Sequence, residues 1–280
     1  MLDHKCEDCN LREKCPYSLF FNPFLTEKEK KETSSRFHNK PRPFVFEPEI
    51  TGKTEFEFGD SIKFKLNIFG KMNKFLPYII ESWKVLQDEG LGGKRSKFIL
   101  KEVWQINNIS GQASKIYDYQ NYTLSNKNVD LLIKDFNKIN KNIDKNKIEL
   151  LFKTPIAIKN KGKILKENLS FYILMKNLFR RLSSLSAFYG KDMSLKFDKY
   201  LQQAKNIDIN YENLKLKKWY RYSNRQHKKI KMQGLKGNII YKGNLNSFIK
   251  FLLLGQYIHI GKNTVFGQGK YLLVNRSSKI

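Results

Sequence analysis

The apolar and polar positions of this chain are easiest to read in its second half. Ile148 to Ile158 is rich in β-formers, and Ile164 to Phe188 sets Leu165, Leu169, Tyr172, Ile173, Leu178, Leu182 and Leu185 on one helical face. Leu214 to Tyr222 and Leu235 to Tyr241 read as two strands separated by a basic, glycine-containing turn. Asn244 to Gly255 reads as a short helix with Phe248, Phe251 and Leu252 on one side and Gly255 as its stop. Tyr271 to Val274 supplies a last strand, so the order is βαββαβ.

The first half repeats part of that order. Pro43 to Glu47 is a strand, and Ser61 to Phe69 alternates Ile62, Phe64, Leu66 and Ile68 with Lys63, Lys65 and Asn67. Phe75 to Asp88 is a helix with Phe75, Ile79, Trp83 and Leu86 inward, ended by Gly90 and Gly92-Gly93, and Phe98 to Ile106 returns as a strand. Between the halves, Val129, Leu132, Ile133, Phe136 and Ile139 fall at helical spacing inside a Lys/Asn-rich stretch. The predicted class is α+β with two tandem ferredoxin-like units: 1–120, a polar linker 121–147 holding a short amphipathic helix, and 148–280. A first unit of ββαβ is expected to lack an initial strand and helix ahead of Met1; an unrelated α+β topology is the alternative.

Charge narrows the partner. Of 280 residues, 53 are Lys or Arg and 26 are Asp or Glu, a formal net charge of +27. Self-repulsion on that scale points to a polyanion, nucleic acid first. An AT-rich genome would raise lysine without purpose, but it does not explain why the acidic residues fail to rise with it. The longest apolar patch, Phe248 to Leu254, is broken by Lys250, so no membrane span is expected. Met1 to Cys15 is charged and is no signal peptide, which predicts a cytoplasmic protein with reduced cysteines.

Three segments carry candidate chemistry. Cys6, Cys9 and Cys15 with His4 could hold a structural zinc; plain buried cysteines are the other reading. Trp219 to Gly234 interleaves aromatics with cations, the combination used on single-stranded RNA, and nominates Arg221, Tyr222, Arg225, Gln226, Lys228, Lys229 and Lys231. The third is the loop from Gly255 to Tyr271. Gly261, Gly267 and Gly269 would let its backbone approach a phosphate, and Lys262 and Lys270 make it cationic. His259 in that loop can act as general acid or base, or equally as a structural hydrogen-bonder. His38, beside Arg36, Lys40 and Arg42, is the other catalytic candidate, and Tyr257 a weaker one that could orient or donate a proton. No carboxylate cluster accompanies them, so cleavage of RNA through its own 2′-hydroxyl, without a metal cofactor, fits the inventory better than two-metal hydrolysis.

These residues bring the chain close to a known group. Cys9 to Phe20 (CNLREKCPYSLF), Arg42-Pro-Phe44, Gly70 with Leu76-Pro-Tyr78, Gly90 to Arg95, Arg221 to Gln226 (RYSNRQ), Gly234 to Gly237, His259 to Lys262 and Phe266 to Tyr271 resemble the CRISPR repeat-processing endoribonucleases of the RAMP superfamily. The resemblance implies two ferredoxin-like domains, a precursor CRISPR RNA repeat as partner rather than DNA, and metal-independent cutting that leaves a 5′-hydroxyl and a 2′,3′-cyclic phosphate. It also implies catalytic histidines that often lie in the first domain and vary in position. A non-catalytic RNA-binding subunit of a CRISPR interference complex is the alternative within the same superfamily.

Overall fold

The computed structural model describes residues 9–274 apart from 34–35, 54, 122, 125–128, 140–142, 161, 192, 194–196 and 224–225. The chain enters through α1 (Pro16–Phe21), where Pro16 occupies the first helical position and its missing N–H costs nothing. α2 (Glu27–Thr33) opens on a reciprocal cap: Thr26 N–H donates to Glu29 Oε2 at 3.0 Å and Glu29 N–H to Thr26 Oγ1 at 3.2 Å. β1 (Phe44–Pro48) then pairs antiparallel with β2 (Phe64–Ile68), and α3 (Leu76–Glu89) follows, ending at Gly90 in a positive φ of 78°.

The first unit departs from the expected sheet. β3 (Glu102–Asn107) pairs onward with β4 (Gln112–Asp118), which pairs with β5 (Thr123–Leu124), so the strands divide into a two-stranded and a three-stranded sheet. β4 and β5 carried too few consecutive β-branched residues to stand out in the sequence. The middle segment is also more than a linker. Its helical turn is short, a 3-10 stretch Ile133–Asp135 running into α4 (Phe136–Ile139), and Phe136 is buried edge-on against Tyr257 at 5.4 Å.

The second unit closes as expected. β6 (Lys147–Ile156), a small ribbon of β7 (Lys159–Asn160) and β8 (Lys163–Ile164), α5 (Phe171–Tyr189), α6 (Phe197–Ala204), β9 (Asp208–Ser223), β10 (Lys228–Lys242), α7 (Ile249–Ile258) and β11 (Tyr271–Val274) follow in order. The sheet order is β11-β6-β10-β9 with every pairing antiparallel, the ferredoxin-like arrangement. Three boundaries differ from the periodicity. α5 begins at Phe171, because Ser170 caps it by accepting from Ile173 N–H at 3.4 Å. α7 runs through Gly255 to Ile258, since the Gly255 backbone packs against Tyr271 and helical geometry suits it there. The second long strand begins earlier than expected, with β10 starting at Lys228 and pairing with β9 from there.

α5 and α7 supply the core layer. Phe171 meets Tyr241 and Phe248 edge-on at 5.0 Å each, and Phe179 meets Phe251 at 5.0 Å. The same buried cluster takes in Phe20, Phe37, Phe44 and Met72 from the first unit and Phe136 and Ile143 from the middle. Among the described residues the first unit keeps a small cluster of its own: Ile80, Leu100, Ile116 and Tyr117. Burial of each large apolar side chain contributes roughly 1.5–3 kcal/mol, so much of the first unit's stability comes from docking on the second. Among the described residues no helix is long and apolar enough to cross a membrane.

Candidate functional site

His259 ends α7, held at a positive φ of 59°, and its ring is fully buried. Nε2 lies 2.9 Å from Glu47 Oε1 and Nδ1 lies 3.1 Å from the Gln268 carbonyl oxygen. Both partners can only accept, so a ring nitrogen that bears a proton donates to the one it faces. The second Glu47 oxygen accepts from Lys270 Nζ, and Asn67 Nδ2 donates to Glu47 Oε1 at 2.9 Å and to the Tyr257 carbonyl at 3.0 Å. Burial alone would raise the Glu47 carboxyl, but the hydrogen bonds from His259 and Lys270 outweigh it and hold it down to about 2. β1 and β2 of the first unit are thus clamped to the closing loop of the second through one buried carboxylate.

The loop residues accordingly serve the fold more than a ligand. His259 was expected to act as general acid or base or equally as a structural hydrogen-bonder; both its nitrogens are engaged internally and none of its surface is exposed. Lys270 pairs with Glu47 and half-buried Tyr257 packs on Phe136, its hydroxyl raised by burial first and by the Glu47 charge second. The glycines serve the chain's own packing. A Cβ on Gly267 would stand 2.8 Å from the Phe46 carbonyl, one on Gly261 2.6 Å from the Ala157 carbonyl, and one on Gly269 would overlap the Ile260 carbonyl. Lys262 alone of the loop's named cations is exposed, its N–H anchored on the Ala157 carbonyl at 2.8 Å. Behind the loop, Arg181 Nε donates to the Ile258 carbonyl at 2.6 Å, a cation at the end of α7, and burial lowers its guanidinium to about 10.

The basic hairpin holds together better. β6 pairs with β10 only from Leu235 onward, so Lys228 to Gly234 pairs with β9 alone and projects as a two-stranded ribbon. Lys229 lies opposite Tyr222 and Lys231 opposite Tyr220, which sets both tyrosines and both lysines on one face. Tyr220 and Tyr222 are 65% and 56% exposed, a stacking surface beside two cations. Arg221 points to the other face, its guanidinium 4.5 Å over the Phe266 ring, with Nε buried and lacking a protein partner. It ties the ribbon to the closing loop. Lys228 and Gln226 are exposed near the tip; Arg225 lies outside the described residues.

His38 is exposed on the segment between α2 and β1. Its basic neighbours hold that segment in place: Lys40 pairs with Glu29 at 2.6 Å, Arg42 Nε donates to the Phe21 carbonyl at 2.9 Å, and the Tyr189 hydroxyl donates to the Pro41 carbonyl. Cys9 and Cys15 are unpaired and partly buried; Cys6 and His4 lie outside the described residues. Sequence reasoning missed Glu47 and Asn67. The available signal was an acidic residue two positions from Val45, on the inward face of an apolar strand in a strongly cationic chain.

The fold and the ribbon define a class, a tandem ferredoxin-like α+β protein that presents an aromatic, cationic hairpin. Comparison with known proteins gives a family match for the second unit. Residues 150–271 match the model of the CRISPR-associated endoribonuclease Cas6, and residues 1–129 match a model described as an N-terminal domain. A Cas6 of Thermus thermophilus solved as a product complex superposes with a TM-score of 0.53 at 12% identity, over 89% of this chain and 86% of that one. The Cas6-RT-Cas1 chain of a partial complex with Cas2 gives 0.51 at 12% identity, over 85% of this chain and 39% of that longer one. No curated protein matches. The second unit thus matches the family of CRISPR-associated endoribonucleases Cas6, and the fold of the chain is similar to that of solved Cas6 structures.

Proposed function

We propose that this protein binds precursor CRISPR RNA and cuts it within each repeat, without a metal cofactor. The observation that carries the reading is the projecting ribbon, where Tyr220, Tyr222, Lys229 and Lys231 share one exposed face on a Cas6-type domain. In the reaction the ribose 2′-oxygen attacks the adjacent phosphorus and loses its proton to a base. The bond from phosphorus to the 5′-oxygen breaks, and an acid protonates that oxygen, leaving a 2′,3′-cyclic phosphate and a 5′-hydroxyl. His38, the exposed histidine of the first unit, takes a proton-transfer role, and exposed Lys262 balances charge on the phosphorane. His259 acts as a positioning residue that holds the loop against Glu47.

A second reading, a non-catalytic RNA-binding subunit, draws on the engagement of both His259 nitrogens. Labelled repeat RNA incubated in EDTA separates the two. His38→Ala should slow cutting roughly 10²–10⁴-fold with binding retained, whereas His259→Ala should lower thermal stability and depress binding and cutting together. Unchanged cutting by His38→Ala removes that residue from the mechanism, and absence of cutting by the unmodified protein favours the binding subunit.

A further inference from the structure

A cleft of about 680 Å³ opens between the two units, lined by Leu86, Gly90, Leu91, Gly92, Gly93 and Arg95 from the turn after α3 and by Tyr222 from the ribbon. Residues far apart in sequence thus share one concave site, with Leu86 and Leu91 apolar, an exposed phenol ring on the facing wall and a guanidinium at the rim.

The glycines of this turn behave unlike those of the closing loop. Gly90 is required by the chain itself, because a Cβ there would overlap the Arg95 backbone. Gly92 has a φ of 72° but nothing within 4 Å of a built Cβ, and Gly93 has neither a positive φ nor a neighbour. Among the described residues nothing calls for glycine at 93. A backbone left bare toward an open cleft is what close approach of a planar ligand needs. Across it, Tyr222 is held in strand pairing with Lys229, so its ring is presented by a rigid element. Arg95 is only loosely tied, 3.4 Å from an exposed Glu89, and its fork suits a phosphate or the acceptor edge of guanine.

We infer that this cleft captures one unstacked base of the bound RNA, with the base lying between Tyr222 and the Gly92-Gly93 backbone. The inference rests on the RNA-processing reading and adds to it a single-nucleotide site shared by both units. The volume admits a nucleotide and lies within the range of small-ligand pockets.

The test is an abasic scan: repeat oligoribonucleotides, each lacking one base, titrated against the full chain by fluorescence anisotropy. One position should weaken binding about 5- to 150-fold, the range of one base stacked on one aromatic ring. Tyr222→Ala and Gly93→Val should weaken the intact repeat by a similar factor and lose sensitivity at that position, while Tyr222→Phe should retain it. Thermal melting should be unchanged for Gly93→Val, which separates a filled cleft from a misfolded one. A flat scan, or a scan in which Tyr222→Ala keeps the same sensitive position, overturns the inference while leaving RNA binding intact. Failure of the unmodified protein to bind the intact repeat overturns the functional reading itself.

Discussion

Glu47→Gln removes the one carboxylate that joins β1 to His259 and Lys270 while preserving the size of the side chain. The carboxyl stands at about 2 in the folded chain against an ordinary 4.5, which corresponds to about 3 kcal/mol of stability at neutral pH. Because the folded value is depressed, that contribution is fully present above the unfolded carboxyl range and is lost as pH falls through the folded one. Denaturant unfolding of the two proteins should therefore differ by about 3 kcal/mol at pH 7. The difference should shrink as pH drops from about 5 and should nearly vanish near 2. Removing one partner of a buried pair also leaves the other charge exposed to the apolar interior, so Glu47→Ala should cost more, on the order of 3–5 kcal/mol. Equal stabilities at pH 7, or a difference that persists unchanged into acid, would refute the clamp.

Other substitutions follow from the same geometry. Gly267→Ala meets both a φ of 75° and the Phe46 carbonyl, and should destabilise by about 1–3 kcal/mol in denaturant unfolding. Phe136→Ala should cost about 3–5 kcal/mol in the same assay, since the middle segment is pinned to the shared core through that ring. Replacing Lys228, Lys229 and Lys231 together by alanine should leave stability within about 0.5 kcal/mol. It should also reduce the salt dependence of RNA binding, by about 0.7 in log–log slope for each phosphate left without its cation.

The second unit was legible because each of its elements has a strong local signature. β6 carries a cluster of β-formers around Leu150-Leu151-Phe152, α5 is an apolar stripe of five turns, and β11 a short apolar close after a glycine turn. The first unit was less so. Its short strands bury only part of their surface, and β3 pairs with β4 in a local hairpin, whose second strand lacks a strong β signature, while β1 pairs with β2. The ribbon's residues could be nominated from composition, but register determined that Tyr220 and Tyr222 face outward with the lysines while Arg221 turns back onto Phe266. The loop was legible only as a pair of alternatives. Three glycines and a histidine signal close approach, and nothing in their spacing tells whether the approaching group is a ligand or the chain's own backbone. Here it is backbone for the glycines and Glu47 for the histidine.

The most direct measurement is the end chemistry of repeat RNA incubated with the purified chain in EDTA. The proposed mechanism requires one cut per repeat, a 5′-hydroxyl that polynucleotide kinase labels without prior dephosphorylation, and a 2′,3′-cyclic phosphate by mass spectrometry. Intact RNA, or products bearing a 5′-phosphate and a 3′-hydroxyl, would contradict it.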